Sequence, residues 1–197
     1  MAFGYATDGA CAVTTIVGIQ GPTWAVIGGD SRVVDGGKIT DLPKNAGKIF
    51  RKNEYIVAIA GDFRVGQILQ HAFDYPKPPD NVNQEGMDRW MTAEFIPLLQ
   101  EHYKEMNYTV DNDLGSEVLI AISGIIYALD QDWTWARDRR GIYAAGSGQA
   151  YAYGALSAYN FPKSASDATS IIKQAIKISA SYDVNTAEPA IVFSQEP

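Results

Sequence analysis

Apolar residues run in short blocks at both ends of the chain and fall into helical spacing in between. Residues 14–20 are rich in β-branched side chains, Gly21-Pro22 is turn chemistry, and residues 24–29 are a second apolar run, so an opening hairpin is predicted. Asp30 stands directly at its strand end. Asp35-Gly36-Gly37-Lys38 marks a further tight turn, and residues 48–51 and 55–60 predict two more strands. Residues 56–60 are continuously apolar, which fits burial on both faces. After Gly61-Asp62 the period becomes helical, with Val65, Ile68, Leu69 and Phe73 on one side. Residues 74–86, with Pro76, Pro78 and Pro79, read as a loop. A second helix carries a stripe from Met87 through Trp90, Phe95 and Leu99 to Met106, kinked or restarted at Pro97. Residues 118–123, 125–130 and 134–143 return to strand patterning, and Gly146-Ser147-Gly148 leads into a third helix over 150–158. A fourth helix starts near Ser164, where Ser164 and Asp167 have capping-box spacing, and residues 190–194 form a last strand. This order suits an α+β fold of two stacked sheets with a helical layer on each outer face.

Composition narrows the class. The 197 residues fit one domain, 46% are hydrophobic, and no apolar run approaches the roughly 20 residues of a membrane-spanning helix. A net charge of −7 argues against phosphate backbones and anionic lipid as partners, so neither nucleic acid nor membrane is expected. The one dense basic cluster, Arg137, Arg139 and Arg140 around Asp138, reads as a solvated hairpin. A single cysteine, Cys11, excludes an intrachain disulfide and a cysteine-rich zinc site, which fits a reducing compartment. Residues 1–12 lack the basic start of a secretory signal, so a cytoplasmic location is expected. His71 and His102 are too few and too separated for a metal centre or a histidine triad, and no cofactor or metal is expected.

Candidate chemistry begins with Thr14, Asp30 and Lys48, a hydroxyl, an acid and a lysine able to meet at a strand end as a nucleophile with its activating charges, provided Thr14 becomes the first residue. Taken singly, each has a plainer explanation: threonine is a good strand former, Asp30 a turn acid, Lys48 an exposed strand lysine, and Gly-Ser-Gly a common loop. Asp183 and Thr186 alone would be an Asx-type turn. In combination they resemble the proteasome β-subunit family, including the bacterial peptidase subunit HslV. The resemblance lies in Thr-Thr-Ile-Val at 14–17, Gly-Asp-Ser-Arg at 29–32, Lys48, Ala60-Gly61, Gly146-Ser147-Gly148 with Tyr151-Ala152-Tyr153-Gly154-Ala155-Leu156 behind it, and Asp183 with Thr186. Order and approximate spacing are kept along nearly the whole chain from Thr14.

The resemblance implies a four-layer αββα sandwich of the N-terminal nucleophile class, with two stacked antiparallel sheets flanked by helices. It implies a leader at residues 1–13 and one catalytic domain at 14–197. Thr14 corresponds to the nucleophile, its freed α-amine to the proton acceptor, Lys48 to the charge that favours deprotonation, and Asp30 to the partner of Lys48. Gly61 corresponds to the oxyanion donor, and Ser147, Asp183 and Thr186 to the group around the α-amine. Val33, Ala46, Phe50, Ile59 and Phe63 stand at substrate-pocket positions and are mainly apolar, implying cleavage after hydrophobic residues. The partners implied are identical subunits in stacked rings, an ATP-dependent unfoldase and unfolded polypeptides.

The chain departs from the family pattern in three places. Threonine replaces the usual serine at 186, Asp62-Phe63 replaces smaller residues after Gly61, and Val13 stands before Thr14 where glycine or the initiator methionine is usual. Two alternatives follow: an unprocessed, catalytically silent ring or scaffold subunit, and an amidase using Cys11 as its N-terminal nucleophile.

Overall fold

The computed structural model describes residues 14–35, 37–43, 48–108 and 113–196. In chain order, β1 (Ile16–Gln20), β2 (Ala25–Gly29), β3 (Arg32–Asp35), β4 (Lys38–Asp41), β5 (Ile49–Lys52) and β6 (Tyr55–Gly61) precede three helical segments. These are α1 (Phe63–His71), α2 (Gln84–Trp90) and α3 (Ile96–Glu105), the last two joined by a π-helical stretch, Met91–Phe95. Then follow β7 (Ser116–Ile122), β8 (Ile125–Leu129), β9 (Trp135–Ala136), β10 (Ile142–Ala145), α4 (Gln149–Ser157), α5 (Ala165–Tyr182) and β11 (Ile191–Gln195). One sheet has the order β10-β1-β2-β11, a second has β5-β6-β7-β8-β9, and β3-β4 is a separate hairpin. All pairings are antiparallel.

Strand alternation divides the apolar residues into three layers. Ile16, Ala25, Ile27, Ile56, Ala58, Leu119, Ala121 and Tyr143 meet between the two sheets. Val17, Ile19 and Val26 turn outward onto α4 and α5. Val57, Ile59, Val118, Ile120 and Tyr127 turn the other way, onto α1 to α3. The result is the αββα sandwich expected from the motifs. Gly28 lets α5 close on the first sheet, because a Cβ there would stand 2.4 Å from Ile172 Cγ2. At the start of α5, Ser164 Oγ accepts from Asp167 N at 3.1 Å, the cap its spacing predicts. Among the described residues no helix is long and apolar enough to cross a membrane.

Two segments differ from the sequence expectation, and a third takes the expected break in a specific form. Residues 134–143 are not one strand: β9 and β10 lie in different sheets. Gly141 separates them, with φ +66° and its N–H donating to the Asp138 carbonyl at 2.9 Å in a tight turn. The arginines of that region are tied locally, Arg137 to Asp88 at 2.6 Å and Arg140 to Asp138 at 2.7 Å. α2 begins at Gln84, inside the expected loop, because Asn83 Oδ1 accepts from Gly86 N at 2.9 Å and caps it. The break around Pro97 takes the form of a wider π turn just before it. Proline offers no N–H to the carbonyl four residues back and its ring crowds that carbonyl, which the wider turn accommodates.

Candidate active site

Asp30 leaves β2 at the end of the first sheet, fully buried, and its carboxylate collects four donors. Oδ1 accepts from Thr15 N and from Lys48 Nζ, each at 2.9 Å, while Oδ2 accepts from Arg32 N at 2.9 Å and Ala187 N at 3.3 Å. Lys48, just before β5, is 4% exposed. Burial pushes its ammonium below the ordinary lysine value, opposed by the charge and hydrogen bond of Asp30 and by the field of Asp183. Burial likewise pushes the Asp30 carboxyl up, opposed by Lys48 and by the Thr15 and Arg32 amides. Two buried charges in contact avoid the larger cost of either one alone.

On the other side of Thr14 lies the turn between β10 and α4. Thr14 N donates to Ser147 Oγ at 3.3 Å, and Ser147 Oγ donates to Asp183 Oδ2 at 2.7 Å. Thr186 Oγ1 donates to the same carboxylate oxygen at 2.6 Å and lies 2.6 Å from Thr15 Oγ1. Gly148 N donates to the Thr14 carbonyl at 3.4 Å. The glycines flanking Ser147 are demanded by close approach. A Cβ at Gly146, whose φ is +90°, would stand 2.2 Å from Thr14 O, and one at Gly148 would stand 2.0 Å from Thr15 Oγ1. Asp183 caps α5 at the helix end that disfavours a carboxylate. Ser147, Thr186 and the Asn185 N–H, 3.2 Å from Oδ1, offset that cost.

Gly61 ends β6 with φ +139°, a backbone that favours glycine, and a Cβ there would meet Ser116 Oγ at 2.5 Å. The next peptide is pinned, Asp62 N donating to Ser116 Oγ at 2.9 Å. The Asp62 side chain accepts from Arg64 N at 2.7 Å and from Tyr108 OH at 2.8 Å, fixing the start of α1. Of the expected pocket positions, Val33 is half-buried on β3 and Phe63, first in α1, is 36% exposed. Phe50 and Ile59 are 5% and 4% exposed and pack in the core with α1 and α3. Ala46, Cys11 and residues 1–13 lie outside the described residues. His71 and His102 lie in α1 and α3.

The structure thus gathers Thr14, Asp30, Lys48, Ser147, Asp183 and Thr186 into one hydrogen-bonded chain, joined through Thr15. Sequence reasoning passed over three members of this neighbourhood: Thr15, Ser116 and Glu117, whose Oε2 accepts from Gly146 N at 3.2 Å. An acid second in an otherwise apolar strand is a readable signal for Glu117. Thr15 stands in the Thr-Thr-Ile-Val motif but no role is read for it there, and Ser116 carries no signal. Among the described residues no group of three or more His, Cys, Asp or Glu side chains converges as metal ligands would.

No protein-family profile and no curated protein sequence matches the chain. Solved structures do. BPH of Thiobacillus denitrificans, a bacterial proteasome homologue, is 26% identical with a TM-score of 0.75, covering 93% of this chain and 98% of that one. The same protein in complex with epoxomicin gives 25% identity and a TM-score of 0.74 over 93% of this chain and 98% of that one. Eukaryotic HslV from Trypanosoma brucei gives 20% identity and a TM-score of 0.64 over 93% of this chain and 100% of that one. The chain therefore has the fold of the proteasome- and HslV-type peptidases, as its ordered motifs lead one to expect.

Proposed function

We propose that this chain is a threonine peptidase of the proteasome β and HslV type, made active by cleavage of the bond before Thr14. Residues 1–13 are then a leader. The freed α-amine of Thr14, with an ordinary pKa near ~7.7–8, takes the hydroxyl proton as Oγ1 attacks a peptide carbonyl to form an acyl-ester. Lys48 favours the deprotonated hydroxyl and Asp30 holds Lys48. Gly61 N–H receives the oxyanion, a contribution of roughly 2.7–4 kcal/mol where such donors have been removed. Ser147, Asp183 and Thr186 orient the α-amine. Val33 and Phe63 carry the apolar substrate contacts, favouring cleavage after hydrophobic residues. The active subunits stack in homo-oligomeric rings served by an ATP-dependent unfoldase in the cytoplasm, so that only unfolded polypeptide reaches them.

The reading is supported above all by the continuous run of hydrogen bonds from Thr14 N through Ser147, Asp183, Thr186 and Thr15 to Asp30 and Lys48. Intact mass of the purified protein should reveal a species starting at Thr14, and epoxomicin should add to it covalently. Thr14→Ala should abolish both the adduct and peptide hydrolysis. Hydrolysis surviving Thr14→Ala would overturn the proposal, and surviving there but lost in Cys11→Ala would move the nucleophile to Cys11.

A second reading, a silent ring subunit, is favoured by Val13, whose β-branch stiffens the backbone that self-cleavage must distort. It predicts no mature species and no epoxomicin adduct.

A further inference from the structure

We propose that Glu117 is a positioning residue for this reaction, its carboxylate holding the Gly146-Ser147-Gly148 turn against Thr14; the assignment rests on the peptidase reading above. Glu117 is the second residue of β7, and the strand period puts it on the face of Leu119 and Ala121, which are packed between the two sheets. A carboxylate on that face is costly unless it is used. It is half-buried and accepts the Gly146 N–H at 3.2 Å.

Gly146 is wedged where small shifts matter. A Cβ on it would stand 2.2 Å from Thr14 O and 3.2 Å from Ala60 Cβ, and Ala60 is the cross-strand partner of Glu117. One residue on, Ser147 Oγ must stay near Thr14 N and Asp183 together. Displacing Gly146 moves that hydroxyl directly. Burial pushes the Glu117 carboxyl upward and the Asp130 charge adds to this, while the Gly146 N–H favours the ionised form. Tyr143, Gln149 and Tyr153 line the same cleft, of about 230 Å³, with Glu117 and Asp130. No proposed step places Glu117 on substrate or on the reacting atoms, so its influence passes through the turn.

The test compares wild type, Glu117→Gln and Glu117→Ala in the full-length chain. The first readout is amide hydrogen exchange of a peptide spanning residues 146–148. The second is the rate of epoxomicin addition to Thr14 together with kcat and KM for a small peptide. Glu117→Ala should exchange faster and lose about tenfold or more in labelling rate and kcat with KM unchanged. Glu117→Gln, which keeps an acceptor for Gly146 N–H, should lie between the two. Exchange and labelling within about twofold of wild type in Glu117→Ala would overturn the assignment. So would a Glu117→Gln as impaired as the alanine variant. If Glu117→Ala does not fold, Glu117→Met, similar in length but with no oxygen to accept from Gly146 N–H, decides, since unchanged exchange at 146–148 in it overturns the bracing role. Absence of any adduct in wild type would instead count against the peptidase reading, and exchange would still decide whether Glu117 braces the turn.

Discussion

The two helical layers of the sandwich are built from different materials. Against α1 to α3 the core is aromatic, with Tyr55 and Tyr75 rings 4.7 Å apart, Phe73 and Phe95 at 5.8 Å, and Trp90 and Phe95 at 5.6 Å. Against α4 and α5 alanine and isoleucine dominate, among them Ala152, Ala155, Ala168, Ala175, Ile172 and Ile176, and Trp24 is the one buried aromatic there among the described residues. Rings fill volume and keep backbones apart; alanine and glycine let them approach. The tight layer is the one that carries the hydrogen-bonded site. Asp183 ends α5 and Ser147 precedes α4, so holding them 2.7 Å apart requires both helices to sit close and firmly on the first sheet. The aromatic layer supports Gly61 from the other side, through α1, Asp62 and Tyr108.

This contrast breaks most sharply at the glycines. Gly148→Ala should cost at least about 3 kcal/mol in a thermal melt. Its Cβ would lie 2.0 Å from Thr15 Oγ1 and 3.0 Å from Thr186 Oγ1, disrupting a buried hydrogen bond. Gly28→Ala, pushing on Ile172, should destabilise by about 1–3 kcal/mol. Its counterpart under the aromatic layer, Gly66→Ala in α1, has the opposite sign. The new methyl there meets Ile59 Cδ1 at an ordinary 3.4 Å, and replacing a mid-helix glycine should gain up to about 1 kcal/mol. If both variants lost stability equally in urea titrations, the two layers would be equally tight.

Smaller effects separate stability from function. Ser164→Ala and Asn83→Ala each remove a cap and should cost about 1 kcal/mol in urea. On the proposed peptidase reading, Ser164→Ala should leave epoxomicin addition nearly unchanged, because the cap lies the whole length of an 18-residue helix away from Asp183. A pH slope separates the layers as well. Burial pushes the Tyr55, Tyr103 and Tyr127 phenols above their ordinary value of 10.0, with nearby acidic or phenolic charges adding. The folded state therefore keeps its protons where the unfolded chain releases them. The associated stability is intact below pH 10.0 and is lost as pH rises above it. The buried part of the α4–α5 layer contains no tyrosine among the described residues. Tyr103→Phe should flatten it, as read from unfolding midpoints at about pH 9 and about pH 11.

Much of this architecture is legible along the chain because its causes are local. β-branched and unbroken apolar runs mark β1, β2 and β6, the Ser164 and Asp167 spacing marks the head of α5, and the threonine, acid, lysine and glycine motifs mark the candidate site. Local pattern could not divide residues 134–143 between two sheets, since both halves read as strand and the division lies in which neighbours they meet. Nor could it pair Thr15, Ser116 or Glu117. Their partners stand far along the chain, at Thr186, Asp62 and Gly146, and a hydrogen bond leaves no trace in periodicity. Which segments bury which faces can be read along the chain, because burial follows from side-chain chemistry and period. Which polar groups come within hydrogen-bonding distance depends instead on how closely the layers pack, and that is set only when the chain folds.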